Sequence, residues 1–71
     1  MLRNNIEVDV KVKCIEAGVT QAKLAEMAET TPSYVNRLIK KQESIVNRTF
    51  IQMMEQLGYD VEVTYVKREE R

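Results

Sequence analysis

Thr20-Gln21-Ala22-Lys23-Leu24-Ala25-Glu26-Met27-Ala28-Glu29-Thr30-Thr31-Pro32-Ser33-Tyr34-Val35-Asn36-Arg37-Leu38-Ile39 is the stretch on which the reading of this chain turns. Thr20 is a good N-cap, because its hydroxyl can accept from free amides of a first helical turn. Gln21 to Met27 are strong helix formers, with Leu24, Met27 and Ala28 on one side. Thr31 followed by Pro32 is a second start signal: a capping side chain, then a proline where no amide is needed. Val35, Leu38 and Ile39 then give the next helix its apolar face over about 32–39. Two helices this short are not stable alone and must pack on each other and on flanking elements.

Working outward towards the N-terminus, residues 5–17 support two readings. Ile6, Val8, Val10 and Val12 alternate with Glu7, Asp9, Lys11 and Lys13, a period-two strand pattern. Val8, Val12, Ile15 and Val19 also fall at helical spacing, with Ile6, Val10, Cys14 and Ala17 beside them, and Gly18 can end a helix. Towards the C-terminus, Lys40 to Val46 is a polar loop. The following helix has two possible starts: a Thr49/Gln52 capping box, or an Asn47 cap with a Val46–Ile51 staple. Phe50, Met53, Met54 and Leu57 recur at helical spacing, with the methionines expected as core filler, and Gly58 ends the element. Tyr59, Val61, Val63 and Tyr65 alternate with Asp60, Glu62 and Thr64, which predicts a strand. A lone strand needs a partner, so these four residues are expected to pair with a second copy across a twofold axis. The rival is pairing with an N-terminal strand around Ile6–Val12. The tail Arg68–Arg71 is charged and expected to fray.

Composition narrows the class. Seventy-one residues allow one small core, and such chains commonly need a disulfide, a metal or a partner subunit. There is no histidine, and Cys14 is the only cysteine, so disulfide networks and zinc sites are excluded and association is the natural aid. Cys14 itself is expected as a small buried apolar side chain. The sequence has no apolar run of membrane-spanning length and no signal-peptide core, so a cytoplasmic protein with no membrane partner is expected. Formal net charge is zero, yet residues 1–36, 37–48 and 49–71 carry −1, +3 and −2. The positive excess sits in Arg37, Lys40, Lys41 and Arg48, the local basic stripe that phosphate contact requires.

The order Gly18-Val19-Thr20-Gln21, with Leu24, Ala25, Val35 and Leu38 following and Phe50…Met54…Leu57-Gly58 closing, resembles the helix-turn-helix domains of the phage-repressor and Cro class, the XRE family. The resemblance covers roughly residues 6–58. It implies a helix over about 5–17, hence a mainly α, four-helix lambda-repressor-like domain at 1–58. To this the alternating residues add a Cro-like strand extension for dimerisation, followed by the charged tail, at 59–71. It departs from the family in the turn, where glycine is usual and Glu29 stands after Ala28. A left-handed residue without glycine costs roughly 1 kcal/mol there.

The resemblance implies double-stranded DNA as partner, and the residue chemistry agrees. Thr31, Pro32, Ser33, Asn36 and Arg37 lie outward or N-terminally on the second helix, the end that reaches base edges in the major groove. Asn36 can pair bidentately with adenine, Arg37 with guanine or a phosphate, Ser33 with either kind of base edge, and the Thr31 methyl can touch thymine. Gln21, Lys40, Lys41 and Arg48 are the expected phosphate contacts. The function expected is a homodimeric regulator, a repressor in the simplest case, on an inverted-repeat operator. The alternative is an antitoxin subunit that binds a toxin and autoregulates its operon. An enzyme is not expected, since no acid/base pair or glycine-rich phosphate loop is present, and neither a cofactor nor a small-molecule ligand is expected.

Overall fold

The computed structural model describes residues 1–42 and 45–69; Glu43 and Ser44 of the polar loop, and Glu70 and Arg71 of the tail, lie outside them. Four helices follow in order: α1 Ile6–Ala17, α2 Gln21–Met27, α3 Pro32–Lys40 and α4 Arg48–Gln56. Each opens on a side chain that satisfies a free first-turn amide. Asn5 accepts from Val8, Thr20 from Lys23, Thr31 from Tyr34, and Asn47 from Phe50, at 3.1–3.2 Å. Of the two starts open for α4, Asn47 is the one used. Val46 and Ile51 line one small cavity with Leu2, consistent with the staple that favours that cap.

Helix ends are equally regular. α1, α2 and α4 each close with a 6→1 hydrogen bond at 2.8–2.9 Å, from Val19 to Cys14, Thr30 to Ala25 and Tyr59 to Met54. Such a turn needs a left-handed residue just past the helix. Gly18 and Gly58 supply two of them at φ 67° and 91°, and Glu29 supplies the third at φ 59°. The departure in the turn is therefore accommodated by Glu29 holding the left-handed conformation itself.

α1 resolves the period-two ambiguity of its sequence. Ile6 and Cys14 are buried and Val10 packs on the core, whereas Val8, Val12 and Ile15 are exposed. Alternation arises because the helix carries one apolar stripe on each of two opposite sides, and only the Ile6–Val10–Cys14 stripe faces inward. The centre of the core is Ala25, Val35 and Ile39, with Ala25 fully enclosed. A larger residue at 25 would push α2 and α3 apart. The Gln42 side chain accepts from the Ile6 amide, tying the exit of α3 to the start of α1.

The expected C-terminal strand is absent among the described residues. Tyr59, Val61, Val63 and Tyr65 lie on an extended segment whose backbone forms a single isolated parallel bridge, Leu2 with Val61. Arg3 donates to the Val61 carbonyl at 2.8 Å and Val61 donates to the Met1 carbonyl at 2.9 Å. Pairing stops there for a physical reason: α1 is capped at Asn5, so the backbone that would continue the parallel ladder beyond Asn4 is committed to the helix. Asn4 continues the contact with its side chain, donating to the Val63 carbonyl at 2.9 Å and accepting from the Val63 amide at 2.8 Å. Beyond it, the Tyr65 hydroxyl donates to Asp9 on α1 at 2.9 Å. The segment thus clasps its own chain, and the strand pairing across a dimer expected from its alternation does not exist. The rival strand at Ile6–Val12 is absent too, since those residues are helical.

Charge supports the clasp. Asp60 bonds the Met1 ammonium at 3.1 Å and approaches Arg3 at 3.4 Å, and Glu55 also meets the Met1 ammonium. The hydrogen bond from that ammonium, with Arg3 nearby, holds the Asp60 carboxyl below its ordinary range. Partial burial and the bond to Asp9 push the Tyr65 phenol upward.

Candidate nucleic-acid interface

α3 is built with two unlike sides. Val35 and Ile39 are buried and Leu38 is half-buried against the core, so the stripe opposite them is fixed outward. That stripe holds Ser33, Asn36, Arg37 and Lys40, spaced i, i+3, i+4 and i+7, and all four are exposed. Thr31 and Pro32 stand at its N-terminal end, also exposed. The Thr31 hydroxyl accepts from the Tyr34 amide at 3.2 Å. Its oxygen is therefore engaged as the cap, and its methyl is the part left for a base edge.

The structure brings Ser33, Asn36, Arg37 and Lys40 onto one surface, with Lys41 immediately after as C-cap. Gln21 is half-buried at the first position of α2, and Arg48 is exposed at the first position of α4. Sequence reasoning missed Tyr34. Its ring is 46% exposed and the Arg37 guanidinium lies 5.7 Å from its centroid. The i, i+3 spacing of an aromatic and an arginine on one helix was the signal available. The contact holds the Arg37 guanidinium against the Tyr34 ring on the exposed side of α3.

Electrostatics distinguish this surface from the cations that precede it in the chain. Arg3, Lys11, Lys13 and Lys23 each lie within 4 Å of a carboxylate. Arg37, Lys40 and Lys41 have no carboxylate at salt-bridge distance among the described residues. No acidic residue occupies the first turn of α2 or α3 either, so the positive ends of both helices are uncompensated. A stripe of bidentate hydrogen-bonding side chains flanked by cations outside any described salt bridge offers base-edge partners and phosphate partners together.

Two short helices joined by a tight turn, the second with a fixed polar and cationic outer face, define a helix-turn-helix DNA-binding domain. The chain matches the helix-turn-helix family HTH_3 over residues 10–63, about three quarters of its length, and belongs to that family. It is a DNA-binding regulatory domain of the XRE type and not a catalytic one. No curated protein and no solved structure is significantly similar to it. Among the described residues no helix is long and apolar enough to cross a membrane.

Proposed function

We propose that the protein is a transcriptional repressor that binds an inverted-repeat operator as a homodimer in the cytoplasm, with α3 in the major groove. Residues 1–58 form the reading unit, and the extension that follows braces it through Asp60, Val61, Val63 and Tyr65. Asn36 and Arg37 are the principal base readers, Ser33 and the Thr31 methyl add smaller contacts, and Pro32 starts the helix at the groove. Lys40, Lys41, Arg48 and Gln21 hold phosphates. The observation that carries this reading is the cationic stripe: among the described residues Arg37, Lys40 and Lys41 have no carboxylate at salt-bridge distance, whereas Arg3, Lys11, Lys13 and Lys23 each have one.

Selection of binding sites from random duplex DNA tests it. Twofold-symmetric sites with half-site centres about 10 base pairs apart are expected, and the preference should vanish in the Asn36→Ala, Arg37→Ala double variant. An unchanged preference in that variant would remove α3 from the role. Failure to enrich any sequence, with a small protein co-purifying, would favour the antitoxin reading.

A further inference from the structure

We propose that Tyr34 is a positioning residue for DNA recognition: its ring restrains the Arg37 guanidinium and leaves the hydrogen-bonding fork of that group open to a base. The proposal deepens the reading of α3 given above and rests on Arg37 as a base reader. It starts from what Arg37 touches. The guanidinium carbon lies 5.7 Å from the centroid of the Tyr34 ring. Among the described residues no carboxylate stands at salt-bridge distance from Arg37, and its side chain donates no hydrogen bond.

The kind of partner decides what Arg37 can still do. A guanidinium carries its donors in a rigid planar fork, and pairing with guanine O6 and N7 needs two of them at once. A carboxylate partner takes donors from that fork, as Asp60 does from Arg3 at 3.4 Å. An aromatic ring attracts the positive charge through its face and brings no acceptor oxygen to the fork. Ordering a long side chain in a complex costs free energy, and a restraint already present in the free protein removes part of that cost. Arg37 is thus restrained and still able to pair.

Placement on α3 agrees. Tyr34 stands in the first turn, where its amide donates to the Thr31 cap at 3.2 Å. Its backbone is therefore fixed. Successive residues of a helix turn by about 100°, so Tyr34 lies about 60° to one side of Arg37 and Asn36 about 100° to the other. The ring borders the polar stripe on the side away from Asn36, which keeps the two bidentate side chains apart. Val35 and Ile39 fill the core beneath α3, whereas Tyr34 is exposed. Loss of its ring is not a loss of core.

Selection from random duplex DNA, run in parallel on wild type and variants with the Tm of each recorded, tests the proposal. Arg37→Ala marks the base position whose preference depends on Arg37. Tyr34→Leu should weaken the preference at that position by about two- to fivefold, the effect of one exposed cation–π contact. Its Tm and its affinity for scrambled duplex should be unchanged. Tyr34→Phe keeps the ring and should keep the preference. Added to Arg37→Ala, Tyr34→Leu should change nothing further. A wild-type preference in Tyr34→Leu, or an equal loss from Tyr34→Leu with and without Arg37, would overturn the role. So would a Tyr34→Phe variant that loses as much as Tyr34→Leu, since the hydroxyl would then contact DNA itself. A lowered Tm with equal weakening at every position would make Tyr34 a structural residue and overturn it too. The underlying reading fails separately: an Arg37→Ala variant with wild-type preference throughout removes Arg37 from base reading and the role of Tyr34 with it. Loss in Arg37→Ala without loss in Tyr34→Leu removes the role of Tyr34 alone.

Discussion

α3 and α4 are both nine-residue amphipathic helices, and in the sequence they look alike. In the structure they are opposites. α3 buries Val35 and Ile39 and keeps an uncovered polar side, while α4 only half-buries Ile51 and Met54 and keeps an exposed apolar side. An amphipathic pattern states which face must leave water; it does not state whether the same chain supplies the cover. α2 and α1 cover α3 because Thr20, Glu29 and Thr31 fix a tight turn that presses Val35 and Ile39 onto Ala25. α4 is reached through a polar loop, and its Ile51 shares the lining of a small cavity with Leu2 and Val46.

The sharpest way to break that contrast is truncation of one side chain from each helix. Ile39→Ala should destabilise the fold by about 2–5 kcal/mol, enough to unfold most of so small a domain, whereas Met53→Ala at dilute concentration should change it by about 0.5 kcal/mol or less. Equal losses in urea denaturation would mean that α4 packs into the monomer as α3 does. Next in size is the outer side of α3. Asn36→Ala and Arg37→Ala should each remove about 1–3 kcal/mol of discrimination between operator and scrambled duplex, with folding unaltered. Measured by fluorescence anisotropy, an equal loss on both duplexes would make these residues phosphate contacts only.

Smaller effects come from the segments that flank the two helices. Glu29→Gly, in the turn before α3, should stabilise the domain by about 0.5–1 kcal/mol by relieving the left-handed backbone, read as a rise in Tm. A fall would show that the Glu29 side chain does something the backbone does not reveal. The clasp after α4 should respond to pH at both ends. Asp60 titrates lower in the folded chain than unfolded, so its contribution is present above its ordinary carboxylate range and is lost as acid protonates it. Tyr65 titrates higher, so its contribution is present below the ordinary phenol range and is lost as pH rises through the shifted value. Protection factors at the Val61 and Val63 amides, exchange being referred to the intrinsic rate at each pH, should therefore be greatest at intermediate pH and fall at both extremes, before the protection of α3 is lost.

Much of the fold was legible because caps are local. Thr20, Thr31 with Pro32, and Gly18 and Gly58 mark helix ends through side chains and backbone freedom that act within a turn, and α2 and α3 follow directly from them. α1 was harder because its two apolar stripes imitate a strand, and the family resemblance rather than periodicity favoured the helix. The outward stripe of α3 could be placed from the sequence, but the absence of a described salt bridge at Arg37, Lys40 and Lys41 could not, because it depends on where Glu7, Glu16 and Glu26 find their own partners. Two expectations were wrong for one reason. The alternation at Tyr59–Tyr65 and the apolar spacing at Phe50–Leu57 were read correctly as patterns, but what faces each is decided by distant chain. Asn4 and Asp9 take the first, and nothing described takes the Met53 side of the second, which is why Met53, expected with Met54 as core filler, stands in water.

The central claim is that the outer stripe of α3 reads bases while the cations at its exit hold phosphates. Titration of wild type, Arg37→Ala and the Lys40→Ala, Lys41→Ala pair against operator and scrambled duplex over a range of salt tests it most directly. Arg37→Ala should lose discrimination. The lysine pair should weaken both duplexes alike and flatten the dependence of log affinity on log salt by about 2, since about one phosphate contact is lost with each lysine. Discrimination that survives Arg37→Ala, or a salt slope untouched by the lysine pair, would contradict it.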